Sequence, residues 1–368
     1  MASRFEKRTN VGLPTRIAVP ILAVVGGLVA GAIVLLIGGH NVGDAYSAMW
    51  DASFGTQSGF EQTLVRATPL LLTGLAVTVA LRMNIWNIGA EGQMAIGAVA
   101  GTFVALHAGS LAQLPLLVLM FAAGAVGAAA WALIAAIPRA LVGLNEIITT
   151  LFLNYIALLQ LSALINGPWK DPTVVGFAYS KPLPAQAALP FVGSTSVTIG
   201  IFIALAVAVA VGWLLNRTRL GFSLSIAGGN VRAARYLRLG VGWRIVFVLG
   251  VSGAIAGLAG VIQLTAASGR LQEGLTANYG YTGILVAFLA RRRVAPTVLV
   301  ALIFAALLNG GNALQSTGIP SSIAQIVQAT IIIFVLAGEV LGGYRLRTRA
   351  RAGAVTPPPL QPATGGSQ

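Results

Sequence analysis

The chain has 368 residues, 57% of them hydrophobic and only 9% charged, and a mean hydropathy of +0.85. A soluble domain carries roughly 25% charged residues, so this composition excludes a globular enzyme and predicts an all-α, polytopic membrane protein. The formal net charge of +14 does not point to nucleic acid, because the arginines fall in short clusters at the ends of apolar runs.

Residues 1–16 carry Arg4, Lys7, Arg8 and Arg16 and are read as a cytoplasmic N-terminus. The apolar run 17–37 is about 21 residues, enough to cross a bilayer and longer than the core of a cleaved signal, so it predicts an uncleaved first helix. Nine further runs follow at 64–81, 93–107, 115–137, 147–165, 197–215, 245–265, 280–290, 295–309 and 323–341. The transmembrane region is thus expected over 17–341, with about ten helices. Starting inside, the cytoplasmic ends collect Arg82, Arg139, Arg291 to Arg293, and Arg345, Arg347, Arg349 and Arg351. They also collect an island over 216–244 that holds Arg217, Arg219, Arg232, Arg235, Arg238 and Arg244 and no acid. Only Arg66, Lys170, Lys181 and Arg270 fall on the other side. Both termini are then cytoplasmic. The longest external segment, 166–196, contains five prolines with Trp169 and Tyr179; an ordered lid, a surface for an external partner and a flexible connector all fit. A largely disordered cytoplasmic tail is expected over 342–368, above all in the Pro- and Gly-rich stretch from Gly353.

Segments 93–107 and 280–290 are about 15 and 11 residues, where ~20 are needed to span. Each is third in a set of five. The pattern predicts two inverted five-helix halves with broken or short third helices, an arrangement that places a transport site near those segments. Before the first short segment stand Asn84, Asn87, Glu91 and Gln93, donors and acceptors suited to an uncharged polar solute. Glu91 either contacts solute or caps the helix that follows it. Before the second stand Tyr279 and Tyr281, whose rings suit stacking on a flat base, facing a sugar, or an interfacial belt. At 100° per residue, Glu146, Thr150 and Asn154 project at about 0°, 40° and 80°, a polar stripe that lines a cavity or bonds neighbouring helices. Tyr155 is next to it. On the cytoplasmic island, 230–239 is helix-capable, with Asn230 as N-cap and Gly240 as stop.

Several chemistries are absent. There is no cysteine, and His40 and His107 are the only histidines, so no metal centre is expected. None of Lys7, Lys170 and Lys181 follows a glycine, which excludes a phosphate loop in this chain. The energy source is then an ion gradient or another polypeptide. An ion-coupled secondary transporter is the rival of another class.

Four motifs occur in order: Asn87 to Gln93, Asn145 to Tyr155, Gly228 to Tyr236, and Tyr279 to Ile284. Together they resemble the permeases of bacterial ABC importers in the sugar and branched-chain amino acid class, most closely the nucleoside (simple-sugar-annotated) branch. The resemblance covers about residues 60–341. It departs at Arg291, Arg292 and Arg293, where a glycine-containing turn is expected. The resemblance implies nucleoside uptake by a transport subunit without its own ATPase site, with a ribose-type sugar or a branched-chain amino acid as alternatives. It also implies a second related permease chain, a cytoplasmic ATPase holding ATP and Mg, an external binding lipoprotein, and an inner-membrane location. No cofactor is expected in this chain. Asn84, Asn87, Glu91, Gln93, Glu146, Thr150, Asn154, Tyr155 and Tyr281 are the candidate pathway residues. Gly229, Asn230, Arg232, Ala234, Arg235, Tyr236 and Gly240 are those implied for ATPase coupling.

Overall fold

The computed structural model describes residues 3–7, 13–342 and 344–348. The disorder expected from Gly353 onward lies outside the described residues, as do Arg8, Arg349 and Arg351. Helices α1 (Leu13–Ile37), α2 (Val42–Trp50), α3 (Gln57–Leu81), α4 (Ala90–His107), α5 (Gln113–Val142) and α6 (Glu146–Asn166) come first. Then follow α7 (Gly200–Arg217), α8 (Arg219–Gly229), α9 (Val231–Tyr236), α10 (Val241–Gln263), α11 (Tyr279–Leu289), α12 (Val294–Ser316) and α13 (Ser321–Gly342). A helix lies over every run expected from hydropathy. Among the described residues, seven helices are long and apolar enough to cross a membrane.

The chain forms two compact units. In the smaller, 1–37 with 326–368, α1 packs on α13: a Cβ on Gly27 would stand 3.0 Å from the Ile331 Cα. Strands β1 (Ser3–Lys7) and β2 (Tyr344–Thr348) pair antiparallel, Ser3 opposite Thr348.

In the larger unit, 38–325, α3 is the central helix, with 83% of its most apolar window buried. Helix α3 packs on α10, α11 and α12, and α10 packs on α3, α4 and α5. Exchanging α3, α4 and α5 with α10, α11 and α12 maps the two sets onto each other. This is the contact pattern of the two related halves that the sequence predicts. Its tightest seam uses glycine: a Cβ on Gly97 of α4 would lie 2.4 Å from the Gly257 Cα of α10. A Cβ on Gly257 would lie 2.3 Å from the Gly124 carbonyl of α5. Three helix backbones thus touch where side chains would hold them apart.

The two third helices differ in length. Hydropathy predicts polar, irregular backbone up to residue 92, yet α4 starts at Ala90 and has 18 residues, or about 27 Å. Only α11, with 11 residues and about 16 Å, stays short. The polar residues Glu91 and Gln93 are helical because other segments satisfy the free N–H groups of that first turn, which hydropathy does not register.

The arginine-bearing ends meet. Arg82 Nη2 donates to the Leu215 carbonyl at 3.3 Å, and Arg244 Nε to Ser223 Oγ at 2.9 Å. At the opposite end the 166–196 segment is stitched down rather than loose. Ser180 N donates to Leu271 O, Leu183 N to Gly269 O, and Leu189 N to Thr265 O. Ser196 N and Oγ both donate to Glu61 Oε2, at 2.8 and 2.7 Å.

Candidate functional site

The N-terminal ends of α4 and α11 meet inside the larger unit. An α-helix leaves its first N–H groups without partners, and the macrodipole makes that end positive. Helix α11 has no cap of its own: Asn278, at the N-cap position with φ 59°, makes no side-chain cap bond. Glu91, the second residue of α4, fills that place from 189 positions away. Gly280 N donates to its Oε2 at 2.7 Å. Thr276 and the Asn278 and Tyr281 backbone lie beside the same carboxylate, which is 1% exposed. Glu91 therefore caps α11 and not its own helix. The close approach requires glycine, since a Cβ on Gly280 would sit 2.3 Å from Glu91 N.

The start of α4 is served in turn by other residues. Asn154 of α6 accepts from Gly92 N at 2.8 Å and donates to the Ile88 carbonyl at 2.8 Å. Its Nδ2 also reaches the Tyr281 hydroxyl at 3.2 Å. Asn87 and Gln93 form a reciprocal amide pair, 2.9 and 3.1 Å. Asn87 accepts from Gly89 N at 3.0 Å and donates to Ser252 Oγ at 2.8 Å, and that hydroxyl donates to the Ala76 carbonyl at 2.6 Å. Asn87, Gln93 and Asn154 are all buried with their amides engaged. Buried polar groups are costly unless hydrogen-bonded; here Asn87 and Asn154 satisfy backbone groups, and Gln93 pairs with Asn87.

The stripe on α6 faces inward as its spacing predicts: Glu146, Thr150 and Asn154 are all buried. Glu146 is ion-paired with Arg139 Nε at 3.0 Å, and Thr150 donates to the Glu146 carbonyl. Tyr155 is 58% exposed, and Tyr281 is half-buried. These two rings are the reachable part of the group; the Asn154 amide lies buried behind them, bonded to the Tyr281 hydroxyl. Asn84 stands apart. It lies at the arginine-rich end, where its Nδ2 donates to the Gly228 carbonyl at 2.7 Å and its Oδ1 accepts from Arg292 Nη1.

Sequence reasoning did not find Ser252, Thr276 or Gly280. Ser252 sits in a glycine- and alanine-rich helix and looks like a packing residue. Arg66, read as a charge at a span end, lies within α3 near the Tyr279 hydroxyl. With the Asn312 amide turned so that Oδ1 faces it, Arg66 donates to Asn312 at 3.1 and 3.2 Å. An open pocket of 370 Å³ lies close by, lined by Asp51, Thr56, Ser58, Gln62, Asn309 and Asn312 among others. Among the described residues no group of three His, Cys, Asp or Glu side chains is placed to hold a metal.

On the island, α9 is six residues long. Asn230 caps it, accepting from Arg232 N at 2.9 Å and Ala233 N at 3.1 Å. It stops before Gly240: Arg238, at φ 54°, ends it by Leu239 N to Ala234 O and Arg238 N to Arg235 O bonds. Gly240 is instead the N-cap residue of α10. Ala234 is buried, whereas Arg232, Arg235 and Tyr236 point outward, Tyr236 with 90% of its surface exposed.

Residues 59–336 match the family described as branched-chain amino acid transport system / permease component. The chain belongs to this family of permeases. A glucose ABC transporter permease of Haloferax volcanii is 36% identical over 338 residues, 89% of each chain. A guanosine ABC transporter permease of Bacillus subtilis is 33% identical over 87% of this chain and 93% of its own. A nucleoside ABC transporter permease of Lactococcus lactis is 29% identical over 87% of this chain and 90% of its own. No solved structure matches the chain. The permease reading and the helical membrane fold stand on the family match and on the apolar helices together. In this permease the residues of the four sequence motifs are the ones found at the α4–α11 meeting and on α9.

Proposed function

We propose that this permease imports nucleosides, driven by ATP hydrolysis in a partner. The observation that carries the reading is the α4–α11 meeting, where the reachable groups are the uncharged Tyr155 and Tyr281 rings. A flat base stacks on tyrosine rings, and a tyrosine hydroxyl both donates to and accepts from base or ribose. Glu91, Asn87 and Gln93 hold the helix ends in register, and Glu146 and Thr150 continue the buried polar face of α6 beside them. The relatives named for guanosine and nucleoside transport support the same solute class. The relative named for glucose supports a second reading, in which the tyrosines face a sugar ring.

The arginine-rich end is cytoplasmic in this reading, by the excess of cations retained there, and so are both termini. A second related permease chain completes the passage, and an external lipoprotein delivers solute at the end covered by 166–196. ATP and Mg are held by the ATPase. Its dock is the segment Gly229 to Gly240. Tyr236, Leu237 and Val231 expose apolar surface between arginines, a chemistry that suits a protein groove with an acidic rim.

The test of solute is reconstitution with the ATPase and the second chain, measuring ATP-dependent uptake of labelled guanosine, ribose, glucose and leucine. Guanosine uptake competed by other nucleosides is expected. Uptake of glucose without guanosine overturns the solute assignment and leaves the importer. Uptake by the lone chain driven by an ion gradient overturns the importer. For the dock, Tyr236→Asp removes an exposed aromatic worth about 2 kcal/mol at an interface centre, or roughly 30-fold in affinity. The expected result is loss of ATPase co-purification with the chain still in the membrane. Undiminished co-purification with full uptake refutes docking at α9.

A further inference from the structure

The segment 84–91 runs along the whole length of α11. Glu91 caps its start through Gly280 N. Trp86 packs its ring on Phe288 in the last turn, centroids 6.3 Å apart. Asn84 binds Arg292, in the turn that follows. Between these points the segment is stiff. Ile85 and Asn87 are buried, and Asn87 is anchored to Gln93 and Ser252.

The same asparagine reaches the segment that leads into α9. Its Nδ2 donates to the Gly228 carbonyl, two residues before the Asn230 cap. Gly228 lies directly on the chain beside it: a Cβ there would be 2.4 Å from the Arg82 carbonyl and 2.7 Å from the Met83 Cα. Asn84 thus ties its own segment to two others, 144 and 208 positions away in sequence. The backbone at the junction is unusual. Asn84, Arg291 and Arg292 have φ of 55°, 52° and 60°. Asparagine adopts this left-handed region readily, but arginine does so at a cost. Arg291 ends α11 where glycine is the common choice, with Arg292 N to Ala287 O and Arg291 N to Phe288 O bonds. The guanidinium bond to Asn84 is an interaction that a glycine turn would not provide. It accounts for arginine standing where the motif leads one to expect glycine.

We propose that Asn84 is a positioning residue that transmits movement of α9 to α11 through the Gly228–Asn84–Arg292 relay, and so to the passage at Glu91 and Tyr281. The proposal rests on the ATPase docking at α9. The relay is a strut that stays made through the cycle. Either half is dispensable for folding, because Asn84 is exposed and both backbone turns keep their own hydrogen bonds.

The test uses the full assembly in liposomes and reads solute taken up per ATP hydrolysed. Asn84→Ala and Arg292→Ala are each expected to keep ATPase association and basal hydrolysis within about twofold and to lower uptake per ATP at least tenfold. The double variant falls no further than either single one, as for two ends of one strut. Because the natural chain has no cysteine, Asn84→Cys with Arg292→Cys can be bridged by a short bis-methanethiosulfonate reagent. Bridging restores uptake per ATP, and dithiothreitol removes it again in the same sample. That reversal separates transmission from folding. Uptake per ATP unchanged in both single variants, multiplied losses in the double variant, or no recovery on bridging overturns the relay. A wild-type assembly in which the ATPase docks elsewhere than α9 overturns the underlying reading instead, and is recognised from the Tyr236→Asp result.

Discussion

Glu91→Leu is expected to abolish uptake and to lower the thermal midpoint of the permease in detergent. Leucine has about the volume of the side chain it replaces, so the loss is electrostatic. The carboxylate accepts from Gly280 N, with Thr276 beside it, at a helix N-terminus that has no other cap. Hydrogen bonds to a charged group contribute about 1.5–3 kcal/mol each, and an orphaned buried donor costs about 1–3 kcal/mol. Removing one member of such a buried charged set costs about 3–5 kcal/mol, a large share of the ~5–15 kcal/mol that holds a domain folded. Glu91→Gln separates two roles. Its one amide oxygen still accepts from Gly280, while its NH₂ faces other donors. A partly lowered midpoint with uptake lowered in proportion is the result expected of a cap. A full midpoint with no uptake would mean that the charge acts on solute or gating and that the cap is secondary.

Gly257→Val is expected to prevent folding of the larger unit. The first added carbon would lie 2.3 Å from the Gly124 carbonyl and 2.5 Å from the Ala128 Cβ. Overpacking a core typically costs 1–3 kcal/mol when side chains can yield, and here the nearest obstacle is the backbone of α5. The loss is therefore placed at or above about 3 kcal/mol, read as the fraction of monodisperse protein extracted and its thermal midpoint. Gly250→Ala is the internal control on the same helix. Its new methyl meets only the Leu133 Cδ2, at 3.5 Å, and alanine favours the helix by up to about 1 kcal/mol. Equal behaviour of the two variants would show that the α4–α5–α10 seam is not tightly packed.

Much of the site was legible as composition and little as geometry. The stripe Glu146, Thr150 and Asn154 could be read because helical periodicity is local, and all three are buried. Asn230 could be read as a cap because its partners are two and three residues away. The end of α9 could not. Glycine is the usual signal for a left-handed residue, and here Arg238 takes that conformation while Gly240 does not. Asn84 was grouped with Asn87 because only two residues separate them. The chain leaves α3 there, and the two side chains go to different places: one to Gly228 and Arg292, the other to Gln93 and Ser252.

By itself the sequence determined where the helices lie, which ends collect cations, and which residues are polar inside an apolar body. These follow from transfer free energies and periodicity, which add up residue by residue along the chain. Only the tertiary structure decided what each polar residue does. A helix N-terminus must find acceptors, but nothing local says which segment supplies them. Asn154 serves α4 across 62 positions and Glu91 serves α11 across 189. Those pairings exist because glycines let backbones approach within hydrogen-bond reach, and proximity between distant segments is a property of the packed fold alone.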